Sequence, residues 1–326
     1  MAWLSGYSYR KKVDITGQSG AGTDYQIVLE IGDSAGGDFH LEGHCQNFPQ
    51  DIRFTDDGGS TELSYWIEDE TVDPITVWVK VTDNLDSDQS IYCYYGKSGD
   101  STASDGEDTF EFFDGFDSGT EPDSDKWSTD GSPTVSDGCL ILNQDGEHVY
   151  SNGSSGYTAD DDRVYECSVY VDGKFSFIVI QPDYFQIYSS GSYGFTSLYW
   201  GNLYTQTGDG GRYEVDRGSH SFDVWKRLKM IFTPGKVRWE VPEGTFEHTS
   251  QVPQPDDNMH ISLWAKEDGV ENKVDWVLVR KYCDPSPAFS SAGAEEQEST
   301  PSGQPFVKRL GGVPFMRGQR FGVKIW

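Results

Sequence analysis

Carboxylates in strand-like segments are the residues of this sequence that could hydrolyse a substrate. Two carboxyl groups about 5–5.5 Å apart cleave glycosidic bonds with retention of configuration. Glu166 and Glu240 stand singly, and the alternation around them predicts that each faces solvent. The string Glu121-Pro122-Asp123-Ser124-Asp125-Lys126 contains several carboxylates close together. It lies in a loop, however, and it ends in lysine where a further glutamate would be required. There is also no Gly-x-Ser-x-Gly, His-Glu-x-x-His or P-loop motif, so the sequence predicts a protein that is not an enzyme.

Aromatic residues crowd a Gly- and Ser-rich stretch between residues 184 and 213, where their chemistry fits sugar binding. Ring faces stack on sugar C–H surfaces, while amide and carboxylate groups bond the hydroxyls. The candidate ligand-binding residues are Tyr193, Tyr199, Trp200, Asn202, Tyr204, Gln206 and Asp209. Packing inside a sandwich core is the competing interpretation of these alternating aromatics. Six tryptophans at strand positions are expected in cores: Trp66, Trp78, Trp225, Trp239, Trp264 and Trp276.

Two aspartate clusters, Asp56-Asp57 and Asp160-Asp161-Asp162, offer the oxygen ligands that calcium takes. Neither completes a calcium-loop motif, so solvated turns are the favoured interpretation and no cofactor is assigned. The five cysteines are far apart in the sequence. Their odd number and spacing fit neither a closed disulfide framework nor a zinc site.

The charge is strongly acidic and unevenly distributed. Against 54 acidic residues there are 25 basic ones, for a net charge of −29. Phosphates would be repelled, which argues against nucleic acid as a partner, and no apolar run is long enough to insert in a membrane. Such acidity suits high salt, where charge repulsion is screened, although loop-rich extracellular proteins are also rich in Asp.

Residues 305–326 reverse this character, because they carry five basic side chains and no acidic one. The other 304 residues therefore carry −34. A segment of this kind is predicted to dock on an acidic, apolar surface of its own body, a sister subunit or a larger scaffold. The docking residues are Phe306, Lys308, Arg309, Leu310, Phe315, Arg317, Arg320, Phe321, Lys324 and Trp326. A frayed end with incidental bases is the alternative.

Short runs of alternating apolar and polar residues, separated by Gly, Asp, Ser and Pro, dominate the rest of the chain and predict strands. The fold class is therefore all-β, with two antiparallel β-sandwich or jelly-roll domains in tandem and an extended C-terminal tail. The predicted boundaries are 1–97 for the first sandwich, 98–108 for a linker and 109–287 for the second sandwich. A flexible tether at 288–304 and the docking segment at 305–326 follow.

Two ordered sets of motifs resemble known families. Trp3-x3-Tyr7-x-Tyr9-Arg10-Lys11 begins the first set, and Ile91-Tyr92-Cys93-Tyr94-Tyr95-Gly96 closes it. Residues 1–96 thereby resemble an uncharacterised β-sandwich surface module of archaeal and bacterial secreted proteins. Phe110-Glu111-Phe112-Phe113-Asp114-Gly115-Phe116-Asp117 and Asp275-Trp276-Val277-Leu278-Val279-Arg280 frame the second set. Residues 109–290 are similar to concanavalin A-like (LamG/glucanase-like) jelly rolls, which include lectins and glycoside hydrolases.

The resemblance to jelly rolls implies a test for hydrolysis. Retaining laminarinase-like members share a strand motif Glu-x-Asp-x-x-Glu, and the Glu121 string does not supply it. The resemblance therefore implies sugar binding more readily than sugar cleavage.

The functional hypothesis combines surface-type sandwiches, an export signal that is not evident in Met1-Ala2-Trp3-Leu4-Ser5, and the basic segment. We expect a structural protein on the virion surface of a tailed virus of a salt-loving archaeon, in a tail fibre, baseplate or capsid turret. Its expected partners are other virion proteins, further copies of itself as a homo-oligomer, and a host cell-surface glycan or glycoprotein. The alternatives are a secreted carbohydrate-binding or adhesion protein at the cell surface and a degenerate glycoside hydrolase.

Overall fold

Strands account for nearly all the regular structure of the computed structural model, which confirms the all-β prediction. It describes residues 2–152, 157–158, 162–180, 193–199, 201–208, 212–253 and 258–298. Within these ranges no helix is both long and apolar enough to cross a membrane. The strands form four sheets that stack in two sandwiches.

The first sandwich begins with eight strands: β1 Tyr9–Thr16, β2 Tyr25–Gly32, β3 Phe39–His40, β4 Arg53–Thr55, β5 Glu62–Leu63, β6 Tyr65–Ile67, β7 Ile75–Val81 and β8 Gln89–Tyr95. Sheet I contains β1, β8, β4 and β5 in that order, and sheet II has the order β3-β2-β7-β6. Val13 and Ile15 of sheet I meet Ile27 and Leu29 of sheet II in one buried cluster. The period-2 alternation seen in the sequence thus buries one face of each sheet.

The second sandwich contains β9 Phe112–Asp114, β10 Trp127–Asp130, β11 Thr134–Ser136, β12 Cys139–Leu142, β13 His148–Ser151, β14 Tyr157–Thr158, β15 Arg163–Val171, β16 Phe175–Ile180, β17 Tyr193–Tyr199, β18 Asn202–Gly208, β19 Arg212–Ser219, β20 Val224–Thr233, β21 Lys236–Val241, β22 Gly244–His248, β23 Asn258–Ala265 and β24 Asn272–Lys281. Sheet III has the order β10-β13-β23-β16-β17-β18-β19, with β14 on β23. Sheet IV has the order β11-β12-β24-β15-β20-β21-β22, with β9 on β24. Their facing sides share one apolar core.

Residues 288–297 return to the first sandwich, so the predicted tether at 288–304 is wrong for this part. β25 Ala288–Ala292 and β26 Glu296–Gln297 both pair with β1 in antiparallel fashion. The side chain of Glu296 contacts Arg10 at 2.7 Å, which fixes the pairing further. The edge of β1 has unpaired backbone groups unless another strand covers it, and these ten residues supply that strand.

The predicted linker at 98–108 also packs against the first sandwich. Ser104 accepts a hydrogen bond from the backbone N–H of Ile67, and Asp105 donates its backbone N–H to Tyr65. Asp105 then caps a one-turn helix, α1 Gly106–Thr109, by accepting from the N–H of Asp108. The linker is therefore a fixed connection between the two sandwiches.

Aromatic residues from both sandwiches meet in a third buried cluster. Trp66 and Trp78 come from sheet II, whereas Phe113 and Trp276 come from sheet IV. Trp66 and Trp276 are in edge-to-face contact with ring centroids 5.6 Å apart. The outer face of sheet IV is thus partly covered by the first sandwich.

Candidate functional site

The candidate site is the side of sheet III that faces away from the core, which we call the aromatic face. Alternation along β16 sorts its residues between the two sides. Phe175, Phe177 and Val179 belong to the core between the sheets. Ile178 joins a separate cluster with Tyr193 and Trp264, which marks the opposite side of the sheet. The aromatic face therefore has its own apolar base.

Strand register brings most of the predicted sugar-binding residues to this face. Ser197 of β17 pairs with Tyr204 of β18, and Tyr193 is four residues from Ser197 on the same strand. Gln206 follows Tyr204 by two residues and so lies on the same side. Asn202 ends the row beside Tyr199, whose backbone lies in β17. The predicted residues Trp200 and Asp209 lie outside the described residues.

The residues of this row differ in accessibility. Tyr193 and Gln206 are buried, and the Gln206 amide donates to the Tyr193 hydroxyl at 2.6 Å. They form the base of the face and hold the neighbouring strands in register. Tyr204 and Asn202 are half-buried and present part of their surface outside. The packing and binding interpretations therefore apply to different residues of the same row.

Two carboxylates that sequence reasoning overlooked complete this edge of the face. Asp216 of β19 pairs with Tyr204, and Glu214 pairs with Gln206. Both are exposed, and the Asn202 amide donates to the Asp216 carboxylate at 2.9 Å. The signal in the sequence was the Glu-x-Asp spacing of Glu214 and Asp216 inside a strand-like run.

The other half of the face carries hydroxyl, imidazole and indole groups. His148 of β13 and Ser262 of β23 are hydrogen-bonded, and the His148 ring lies 5.5 Å from that of Trp264. The Lys266 ammonium stands 3.6 Å from the Trp264 ring centroid, which is a close cation–π contact. The face thus combines aromatic surface with polar groups along its length.

His148 makes the stability of this face sensitive to acid. Burial lowers the pKa of His148 to about 4, against the smaller opposing effect of Asp130. Because the unfolded chain has the ordinary value near 6.5, it binds a proton between pH 6.5 and 4 that the folded chain does not. The stability due to neutral His148 is therefore complete above pH 6.5 and is lost as the pH falls toward 4.

We expect His148→Gln to remove this dependence. On going from pH 7 to pH 5, the free energy of unfolding of the wild type should fall by about 2 kcal/mol more than that of the variant. Urea denaturation at both pH values measures the difference. Equal losses in the two proteins would show that His148 does not titrate in this window.

The described carboxylates of the aromatic face do not form a retaining pair of the usual spacing. Asp130 of β10 and Glu214 of β19 belong to opposite edge strands of sheet III, about 29 Å apart at six strand spacings. Glu214 and Asp216 lie two residues apart on the same side of one strand, about 7 Å apart along the backbone. Ser219 stands where the third carboxylate of a Glu-x-Asp-x-x-Glu motif would be.

Two other sequence expectations fail on sheet IV. Glu166 is 1% exposed and forms ion pairs with Arg227 and Arg280, so its predicted exposure is wrong. It lies at the contact with the first sandwich, which alternation alone does not reveal. Trp225 is 49% exposed, so its predicted core position is also wrong. Glu240 is half-buried and pairs with Lys229 at 2.6 Å.

Among the aspartates considered for calcium, Asp56 holds a turn through its carboxylate. The Asp56 carboxylate accepts from the backbone N–H of Gly59 at 3.1 Å and of Thr61 at 3.3 Å. Burial by itself raises the pKa of Asp56, but hydrogen bonds from the side chain of Thr61 and from the backbone of Thr61, Ser60 and Gly59 outweigh it and lower the pKa. Asp57 is exposed, and Asp160 and Asp161 lie outside the described residues, whereas the Asp162 carbonyl accepts from Tyr282. In the described part of the chain, no three or more His, Cys, Asp or Glu side chains form a metal-binding group.

The fold and this face together define a two-sandwich protein whose second sandwich has a jelly-roll-like outer sheet lined with aromatic and polar groups. A family model described as "Domain of unknown function (DUF2341)" matches residues 49–130, from just before β4 to the end of β10. No curated protein sequence matches the chain.

Several solved structures are similar to about half of the chain. The laminarinase catalytic domain from Thermotoga maritima is 10% identical, with 53% of this chain and 98% of that chain covered and a TM-score of 0.43. The endo-β-1,3-glucanase from Pyrococcus furiosus is 12% identical, with 56% of this chain and 95% of that chain covered and a TM-score of 0.43. The carbohydrate recognition domain of Emp47p is 12% identical, with 53% of this chain and 96% of that chain covered and a TM-score of 0.42. The likeness is one of fold and assigns no role to a residue.

Proposed function

We propose that this protein binds glycans at the β18–β19 edge of its aromatic face. The observation that carries the proposal is the strand register, which places Tyr204 beside Asp216 and between Asn202 and Gln206 on one side of the sheet. A half-buried ring can stack on a sugar while the neighbouring amide and carboxylate bond its hydroxyls. The buried Tyr193–Gln206 bond supports this arrangement from below.

Replacing Tyr204 with alanine should weaken glycan binding about tenfold or more while changing stability little. Loss of one stacking ring removes about 1.4 kcal/mol or more of binding free energy. A glycan array identifies ligands for the wild type, and calorimetric titration then compares the variants. Asp216→Asn should weaken binding of the same ligands, because it removes the negative charge and one acceptor oxygen next to the ring.

Tyr213→Ala is the matched control for this experiment. Tyr213 is 43% exposed in β19 but pairs with Thr207, and so belongs to the other side of the sheet. This variant should bind glycans as the wild type does. Unchanged binding by Tyr204→Ala, or a large loss of its melting temperature, would contradict a binding role for Tyr204.

Hydrolysis is the second candidate function because Glu214 and Asp216 are both exposed and lie on the same side of β19. Their backbone separation of about 7 Å is wider than a retaining pair but falls in the range of about 6.5–9.5 Å of inverting pairs. Incubation with β-glucans distinguishes the two functions. Reducing-sugar release that disappears in Glu214→Gln would establish a hydrolase, whereas binding without release supports the lectin-like function.

For its setting, we propose the surface of a virion from a tailed virus of a salt-loving archaeon, with the glycan on the host. The −34 charge outside residues 305–326 supports a saline medium. Mass spectrometry of purified particles tests this setting directly. Detection of the protein only as a secreted or cell-surface protein would favour the cellular adhesion alternative.

A further inference from the structure

A cleft of about 570 Å³ opens where the two sandwiches and their linker meet. Trp66 of the first sandwich and Phe113 and Trp276 of the second line one wall with aromatic rings. The linker contributes Ser104, Asp105 and the start of α1. This cleft is distinct from the aromatic face, because it lies beside sheets II and IV and not on sheet III.

The charge of the cleft is almost entirely negative. Among the described residues that line it, ten are carboxylates and one, Lys126, is basic. Lys126 already binds Glu107 at 2.7 Å, so it offsets little of the remaining charge. Burial, together with Asp117, Asp69 and Glu68, raises the pKa of Asp275 to about 6. A cation placed in the cleft would relieve this repulsion between carboxylates.

We propose that residues 305–326 of the same molecule bind in this cleft. This segment carries five basic residues and no acidic one, so its charge is opposite to that of the cleft. Its apolar residues, among them Phe306 and Leu310, flank the adjacent bases Lys308 and Arg309. The aromatic wall of the cleft therefore matches the apolar side chains of the segment, and the carboxylates of the cleft match its basic side chains.

The place where the described chain ends makes this docking feasible within one molecule. The N–H of Glu298 donates to the Ser8 carbonyl, and the adjacent Tyr7 donates its hydroxyl to Asp100. From Asp100, four residues lead to Ser104 at the cleft, and four residues span at most about 14 Å. Residues 299–309 span up to about 38 Å when extended, which is long enough to bring Lys308 and Arg309 to the cleft.

Zero-length cross-linking of the full chain tests the proposal. A water-soluble carbodiimide joins a lysine to a carboxylate that it contacts, and peptide mass spectrometry identifies the pair. We expect Lys308 to be linked to cleft carboxylates such as Asp69, Asp117 or Glu121. Mixing ¹⁵N-labelled and unlabelled protein distinguishes links within one molecule from links between two molecules. Links between labelled and unlabelled copies would overturn docking within one molecule.

Charge reversal in the cleft supplies the second measurement. In Asp117→Lys/Glu121→Lys, backbone amides of residues 305–326 should exchange hydrogen about tenfold faster than in the wild type, because the segment is released. The matched control Asp57→Lys/Glu247→Lys reverses two exposed carboxylates outside the cleft and should leave exchange unchanged. Equal exchange in the wild type and the cleft variant, or cross-links of Lys308 only outside the cleft, would overturn the proposal.

Discussion

Replacing Glu166 with alanine should lower the free energy of unfolding by about 3–5 kcal/mol. Glu166 is 1% exposed and accepts a hydrogen bond from Arg227, while its other carboxylate oxygen lies 3.7 Å from Nε of Arg280. Arg280 is itself buried, with its guanidinium 4.7 Å from the Trp78 ring centroid. The substitution would leave this buried cation without a carboxylate, which is the costly way to break a buried ion pair.

The effect should extend beyond the second sandwich. Arg227 also binds the Glu68 carboxylate of the first sandwich, with N–O distances of 2.9 and 3.1 Å. The ion pairs of Glu166 therefore position an arginine that joins the two bodies. Glu166→Gln should cost less than the alanine variant, because the amide keeps the volume and one acceptor but not the charge.

Urea denaturation at pH 7 measures these losses, with Glu247→Ala as control. Glu247 forms an exposed pair with Lys236 at 3.4 Å, so its removal should cost at most about 1 kcal/mol. A loss below about 1 kcal/mol for Glu166→Ala would show that Arg280 is stabilised without its carboxylate partner.

Acid should produce the same loss in the wild type. Burial by itself raises the pKa of Glu166, but Arg227 and Arg280 outweigh it and hold the pKa below its ordinary value. A lowered carboxyl pKa contributes stability that is complete above the unfolded value and is lost as the pH falls through the folded value. The difference between wild type and Glu166→Ala should therefore be full at pH 7 and shrink below about pH 4.

Alternation predicted the strands but not what covers each face. Glu166 and Tyr170 are four residues apart on β15 and therefore lie on the same side of sheet IV. Trp225 pairs with Tyr170, so Glu166 and Trp225 share this outer face. The first sandwich covers the end of this face with Glu166 and leaves Trp225 exposed. The local pattern is the same at both positions, so only tertiary packing distinguishes them.

Composition was similarly informative about turns and misleading about residues 288–297. Their Ser, Ala, Gly and Glu content is typical of a tether, yet they pair with β1. What orders them is the open edge of a strand almost 280 residues earlier, which no local window contains. The candidate site shows the same division. Tyr204 and Asn202 were predicted from residue type, whereas Glu214 and Asp216 required the β18–β19 register.

Replacing Trp66 with alanine should cost about 3–5 kcal/mol and separate the melting of the two sandwiches. Trp66 lies at the centre of the aromatic cluster between them, with ring centroids 4.9 Å from Phe113 and 5.6 Å from Trp276. Its removal takes an indole ring with three aromatic neighbours out of a contact that both bodies share. Each sandwich keeps its own apolar core, so each should then unfold in its own transition.

Scanning calorimetry of the full chain distinguishes this result from a general loss of stability. The wild type should show one joint transition, and Trp66→Ala two. Trp225→Ala removes the same side chain from an exposed site, and should keep one transition at a cost below about 1 kcal/mol. A single transition in Trp66→Ala would mean that the ion pairs of Arg227 hold the sandwiches together on their own. In that case, combining Trp66→Ala with Glu166→Ala should split the transition, because the combination removes both the aromatic contact and the carboxylate that positions Arg227.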